Sequence, residues 1–166
     1  MRRSLAFVLF SALVLATSSA HALGTGGASL RSAGRLGIGL GNGWASGLSG
    51  KLGLADRLAV QLTAGTYGLG HGAGDGFSVG ADLLVEMPAL WRHPAVELAW
   101  SVGAGGGLAL VDGGDPGIGA QGVLGLEFLF VPAPIDIVLE LRPRLLVSPV
   151  SDFEPFDFGG HVRFYF

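Results

Sequence analysis

The stretch "IDIVLELRPRLL", residues 135–146, decides how the rest of this chain is read. Its apolar residues Ile135, Ile137, Leu139, Leu141 and Leu145 fall on odd positions, while Asp136, Glu140, Arg142 and Arg144 all fall on even ones. Successive side chains of a β-strand point to opposite faces, so this period of two describes a strand with one apolar and one charged face. Pro143 sits inside the segment and has no N–H to donate to a ladder, so a bulge or a local break in pairing is expected there.

Working outward, the same alternation recurs in seven more segments. Residues 30–41 set Leu36, Ile38 and Leu40 against Arg35, Gly37 and Gly39, and residues 44–54 set Leu48, Leu52 and Leu54 against Gly47, Ser49 and Lys51. Residues 58–67 set Leu58, Val60 and Leu62 against Gln61, Thr63 and Tyr67. Residues 77–87 set Phe77, Val79, Leu83 and Val85 against Ser78, Asp82 and Glu86. In the second half, Val96, Leu98, Trp100 and Val102 oppose Glu97, Ser101 and Gly103. Ile118, Leu124, Leu126, Phe128 and Phe130 oppose Gln121, Gly125 and Glu127. The closing segment sets Val162, Phe164 and Phe166 against His161, Arg163 and Tyr165. No charged residue falls on the apolar face of any segment.

Composition narrows the class. Thirty glycines in 166 residues would suggest low complexity, but disordered chains are poor in apolar residues. This chain has 49% hydrophobic residues, and only 14% of its residues are charged. The formal net charge of −3 offers no basic patch for nucleic acid. Met1-Arg2-Arg3, the apolar run from Leu5 to Ala16 and the A-x-A site at Ala20-His21-Ala22 have the layout of a secretory signal peptide. Cleavage after Ala22 leaves residues 23–166 as one mature domain. The alternative of a retained anchor meets an apolar run too short to span a bilayer. The chain contains no cysteine, which excludes disulfides and a lipid-modified cysteine at the cleavage site.

Which face points outward settles the class. A soluble sandwich or barrel turns its apolar face inward and covers its outside with charge. Here the second face is mostly Gly, Ala, Ser and Thr with a few charges, a weak solvent surface but a fitting lining for a narrow barrel. Inverted, the apolar face meets lipid, as in an outer-membrane barrel. Strands crossing lipid must close on each other, and segments of about ten residues match the ~9–11 needed to cross at a tilt. The expected fold is therefore all-β: an eight-stranded antiparallel up-and-down transmembrane barrel. Its external connections fall at 41–43, 68–76, 111–117 and 148–157, and its periplasmic turns at 55–57, 88–94 and 131–134. Trp44, Phe77 and Phe158 are expected at the outer rim, and Trp91, Phe128, Phe130, Phe164 and Phe166 at the inner one, as two aromatic girdles.

The signal peptide, the eight alternating segments and the ending Val162-Arg163-Phe164-Tyr165-Phe166 together resemble the small eight-stranded outer-membrane β-barrel proteins, the OmpA/OmpX-like group. That resemblance implies a location in the outer membrane among its lipids. It also implies an assembly signal at Val162, Phe164 and Phe166 that the barrel-assembly machinery reads.

Local motifs add little chemistry. "GIGAQG" at 117–122 fits the dinucleotide pattern, but an alternating strand follows it where a helix is required. "GFSVG" at 76–80 fits the nucleophile elbow, yet Ser78 lies in an alternating strand and not at a sharp strand-to-helix turn. His71, His93 and His161 lack metal-ligand spacing, and neither metal nor cofactor is expected. The polar constellation of interest is the lumen: Lys51, Arg142, Arg144 and Arg163 with Asp82, Glu86, Glu97, Glu127 and Glu140, joined by Gln61, Gln121, Tyr67 and His161. Buried charges persist when paired, so a salt-bridge network that fills the barrel is expected.

The function this supports is non-enzymatic, a monomeric barrel with a structural or surface-interaction role. A narrow pore gated by Arg142, Arg144 and Glu140 is an alternative. An envelope-lipid enzyme is another, but it needs a serine or carboxylate beside His161, and neither Ser78 nor Ser101 lies on a strand adjacent to it. A soluble lipid-binding barrel is opposed by the charge-free apolar face.

Overall fold

Alternation of this kind closes into a barrel when each strand finds two neighbours. The computed structural model describes residues 30–66, 76–149 and 151–166. Its strands are β1 (Leu36–Asn42), β2 (Ser46–Ala55), β3 (Leu58–Thr66), β4 (Gly76–Glu86), β5 (Trp91–Arg92), β6 (Val96–Val111), β7 (Gly117–Phe130), β8 (Ile135–Leu141), β9 (Arg144–Ser148), β10 (Asp152–Glu154) and β11 (Phe158–Tyr165). All pairings are antiparallel, and β11 pairs back onto β1 from Gly37↔Tyr165 to Asn42↔Gly160, closing an eight-stranded barrel. The described residues contain no helix. The start of β1 and the end of β11 share one end of the barrel, the terminal end. The ends of β1, β3, β6 and β9 lie at the other, the loop end.

The last two staves are each built from two strands, and Pro143 explains why. β8 and β9 both pair with β7 in one register, Leu124↔Leu141 and Gln121↔Arg144. Between them the Gly122 N–H still donates to the Pro143 carbonyl at 2.9 Å. The interruption therefore leaves the phase intact, and Arg142 and Arg144 stay on the same face as Glu140 and Asp136. Across the seam, β10 pairs with β9 and β11 with β8, so Pro155, Phe156 and Asp157 break the eighth stave at the same height. The Arg142 N–H donates to the Asp157 carbonyl at 2.7 Å and ties the two breaks together. The external connection expected over 148–157 is accordingly shorter, because β10 continues the wall.

Two further boundaries differ from the sequence reading. The turn expected at 88–94 folds back as a rim hairpin in which β5 pairs with Leu98 and Glu97 of β6 and Trp91 stacks on His93. Residues 30–35, expected within the first strand, instead form a strap across the terminal mouth. The signal segment with Ala20 and Ala22, Tyr67 and nearly all of the 68–76 connection lie outside the described residues.

Side-chain size alternates around the barrel for a steric reason. An eight-stranded barrel has room inside for side chains and little else, so a large residue must face a small one. On β1 the inward positions are Gly37, Gly39 and Gly41, directly opposite Tyr165, Arg163 and His161 of β11. On β6 the inward Gly103 and Gly105 lie opposite Leu84 and Asp82 of β4. Among the described residues, the outward positions of all eight staves carry no charged residue. Ile38, Leu40, Leu48, Leu62, Phe77, Leu83, Leu110, Ile118, Leu124, Leu139, Val162 and Phe164 are all exposed there.

Candidate functional site

The strand phase that exposes the leucines turns the charges inward, where they form one stacked network. Near the terminal mouth, Lys51 from β2 lies 2.7 Å from Glu86 of β4 and 3.0 Å from Glu127 of β7. Arg31 from the strap reaches the same two carboxylates at 3.4 and 3.3 Å. One layer further in, Arg163 of β11 donates to Asp136 of β8, its cross-strand partner, through Nε at 3.1 Å and Nη2 at 2.8 Å. The Tyr165 hydroxyl donates to the same carboxylate at 2.7 Å.

Gln61 of β3 links this layer to the next. Its Oε1 accepts from Arg163 at 2.5 Å and its Nε2 donates to Glu140 at 3.0 Å. Glu140 also accepts from Arg142 and from His161 Nε2, the latter at 3.0 Å. Arg142 spans the lumen to Asp82, whose other oxygen accepts from Gln121 Nε2 at 2.6 Å. Every one of these side chains is buried. Guanidinium groups suit such a place because their planar fork holds two carboxylates at once.

At the loop end Arg144 pairs with Asp157, approaches Glu154 at 4.0 Å and donates to the Gly43 carbonyl at 3.2 Å. Its guanidinium also sits 4.8 Å from the centre of the Trp44 ring, a cation–π contact strengthened by burial. Trp44 is the main correction to the sequence reading. Expected in the outer aromatic girdle, it is 1% exposed and plugs the lumen instead. β1 ends at Asn42, and the chain turns inward through Gly43 before β2 begins. Gly80, Gly107 and Gly119 leave the recess that the indole fills, since a Cβ at any of them would press on Trp44. Gly107→Ala is therefore expected to cost about 1–3 kcal/mol through overpacking, read as a lowered denaturation midpoint with altered tryptophan fluorescence.

The structure brings Lys51, Asp82, Glu86, Glu127, Glu140, Arg142, Arg144, His161 and Arg163 into the lumen. It leaves Glu97 out. That residue pairs at 3.3 Å with Arg92, which is 74% exposed on the rim hairpin, a position where an ion pair contributes little. Arg31, Asp136 and Asp157 join the network without having been expected in it. Asp136 shares the parity of Glu140 and was readable on that ground. Arg31 lies within residues 30–41 and shares the parity of Arg35, but it reaches the lumen from the strap and not from a strand. Asp157 lies in an expected connection, where the sequence carries no facing signal.

The network fills the barrel from mouth to mouth. Leu30 and Arg31 occupy the terminal end, and Trp44 over Arg144 occupies the loop end. Ser78 is buried with its hydroxyl 3.4 Å from the Trp44 carbonyl, to which it donates, and "GIGAQG" begins strand β7. His161 and Glu140 form a dyad sealed within the wall. Val162, Phe164 and Phe166 stand exposed on the outer face of the last stave, with Phe164 and Phe166 packed edge to face. Comparison of the chain with protein families, with curated proteins and with solved structures finds no match.

Proposed function

We propose that this chain is an integral outer-membrane β-barrel with a non-enzymatic, structural or surface-interaction role. The observation that carries the reading is the inversion of the barrel: among the described residues, an outward face without charge on all eight staves around a lumen of paired charges. In water, so large a continuous apolar surface would drive association. In a bilayer it meets acyl chains, while the ladder that closes between β11 and β1 satisfies backbone groups that lipid could not. Phe77, Phe153 and Phe158 toward the loop end, and Trp91, Phe164 and Phe166 toward the terminal end, give exposed aromatics near both rims, suited to the two interfaces. Val162, Phe164 and Phe166 are the residues offered to the barrel-assembly machinery. The lumen network acts as a polar core that rigidifies the wall, and the loop end displays the acidic Asp112, Asp115 and Asp152 to the outside.

Fractionation combined with gel mobility tests the reading. The expected result is protein in the outer-membrane fraction that migrates differently with and without heating in detergent, because the closed ladder survives unheated detergent. A protein recovered free of membrane, with one mobility under both conditions, would overturn it.

A further inference from the structure

The strap at residues 30–35 is held by more than chain continuity. The Gly34 N–H donates to the Gly53 carbonyl at 2.8 Å, the Gly53 N–H donates to the Arg35 carbonyl at 3.0 Å, and Leu30 is buried against Ala99, Leu129 and Tyr165. These contacts aim Arg31 into the lumen, where its side chain is 8% exposed. Nη1 donates to the Met87 carbonyl at 2.6 Å and Nη2 to the Trp100 carbonyl at 2.7 Å. Nε faces Glu86 and Glu127. The acceptors all belong to the barrel wall and its rim, and two opposed carbonyls match the flat fork of a guanidinium. An ammonium is a point charge and lacks that fork. Charge agrees with shape: without Arg31, Lys51 alone would face two buried carboxylates, an uncompensated charge in a place where such charges are costly.

We propose that the terminal mouth of the lumen is a guanidinium receptor, and that the strap is a latch that closes it by supplying Arg31 as the ligand in cis. The receptor is built by strands that stand without the strap, so it binds a guanidinium group delivered from solution once Arg31 is gone. This holds whichever solvent surrounds the barrel, and its test is separate from that of membrane location.

The experiment uses the full mature chain refolded in detergent micelles, with guanidinium chloride at millimolar concentration as the probe and ammonium chloride as the control. Arg31→Ala is expected to unfold at a lower temperature than the wild type. Guanidinium raises its midpoint by about 3 °C near saturation, while ammonium does not, and the wild type responds to neither. An Arg31→Ala protein indifferent to guanidinium, or a wild type that responds equally, overturns the receptor. The latch is tested with Arg31 in place. A side chain at Gly53 would overlap the Ser32 carbonyl, so Gly53→Val expels the strap. Phenylglyoxal modification read by mass spectrometry is expected to spare Arg31 in the wild type and to label it in Gly53→Val. Labelling of the wild type at the rate of the exposed Arg92, or protection in both proteins, overturns the latch even if Arg31→Ala fails to refold.

Discussion

An arginine in place of Leu124 destabilises the barrel in a bilayer by about 2–4 kcal/mol, whereas an arginine in place of Leu90 costs at most about 1. Leu124 stands at the middle of β7, faces outward and is 47% exposed. Its neighbours across the ladder are Val102 on β6 and Leu141 on β8, both apolar. A charge there lies far from either rim and must be dragged through hydrocarbon or drawn toward an interface. Leu90 is also exposed but belongs to the rim hairpin, where a long cation reaches water at once. Were the barrel soluble, both positions would be ordinary surface sites, and each change would fall within about 0.5 kcal/mol of zero. Equilibrium urea unfolding in lipid vesicles measures the difference between the two variants. Equal midpoints for both would end the membrane reading.

The second large effect lies inside. Arg163→Leu is expected to cost about 3–5 kcal/mol, because Asp136 then remains buried with its main cationic partner removed. The loss concerns charge more than volume. Asp136 keeps the Tyr165 hydroxyl, while Gln61 loses the donor on its Oε1. The double change Arg163→Leu with Asp136→Leu should recover most of that loss, since replacing a whole buried pair by apolar groups is often close to neutral. Gly39 lies beside Arg163 on β1, which leaves space for a branched side chain at that level. If the double variant is as unstable as Arg163→Leu alone, the pair is not the unit of stabilisation here, and a double-mutant cycle with Gln61 would locate the missing coupling.

Much of this arrangement is legible in residues 135–146 and their seven counterparts. Parity alone assigns Ile137, Leu139 and Leu145 to one face and Asp136, Glu140, Arg142 and Arg144 to the other, because a strand offers only two directions. The assignment survives even the break at Pro143, since the pairing with β7 keeps its register on both sides. Partner choice has no such local code. That Arg142 bridges Glu140 and Asp82, and that Lys51 meets Glu86 and Glu127, depends on which staves face each other across a lumen closed between β11 and β1. Glu97 has the inward parity of Ser101, yet it sits at the end of β6 where the rim hairpin offers Arg92.

By itself, then, the sequence determined the strand period, the number of staves and the face each strand residue takes, because a repeat of two is imposed by the pleat of the backbone one residue at a time. Only the tertiary structure decided that Trp44 caps the loop end and Arg31 the terminal mouth. Both fall at the ends of expected alternating segments but outside the strands that form, where direction is set by the space that distant residues leave. Gly80, Gly107 and Gly119 leave a recess for one, and the carbonyls of Met87 and Trp100 accept from the other. Such space exists only after the barrel has closed.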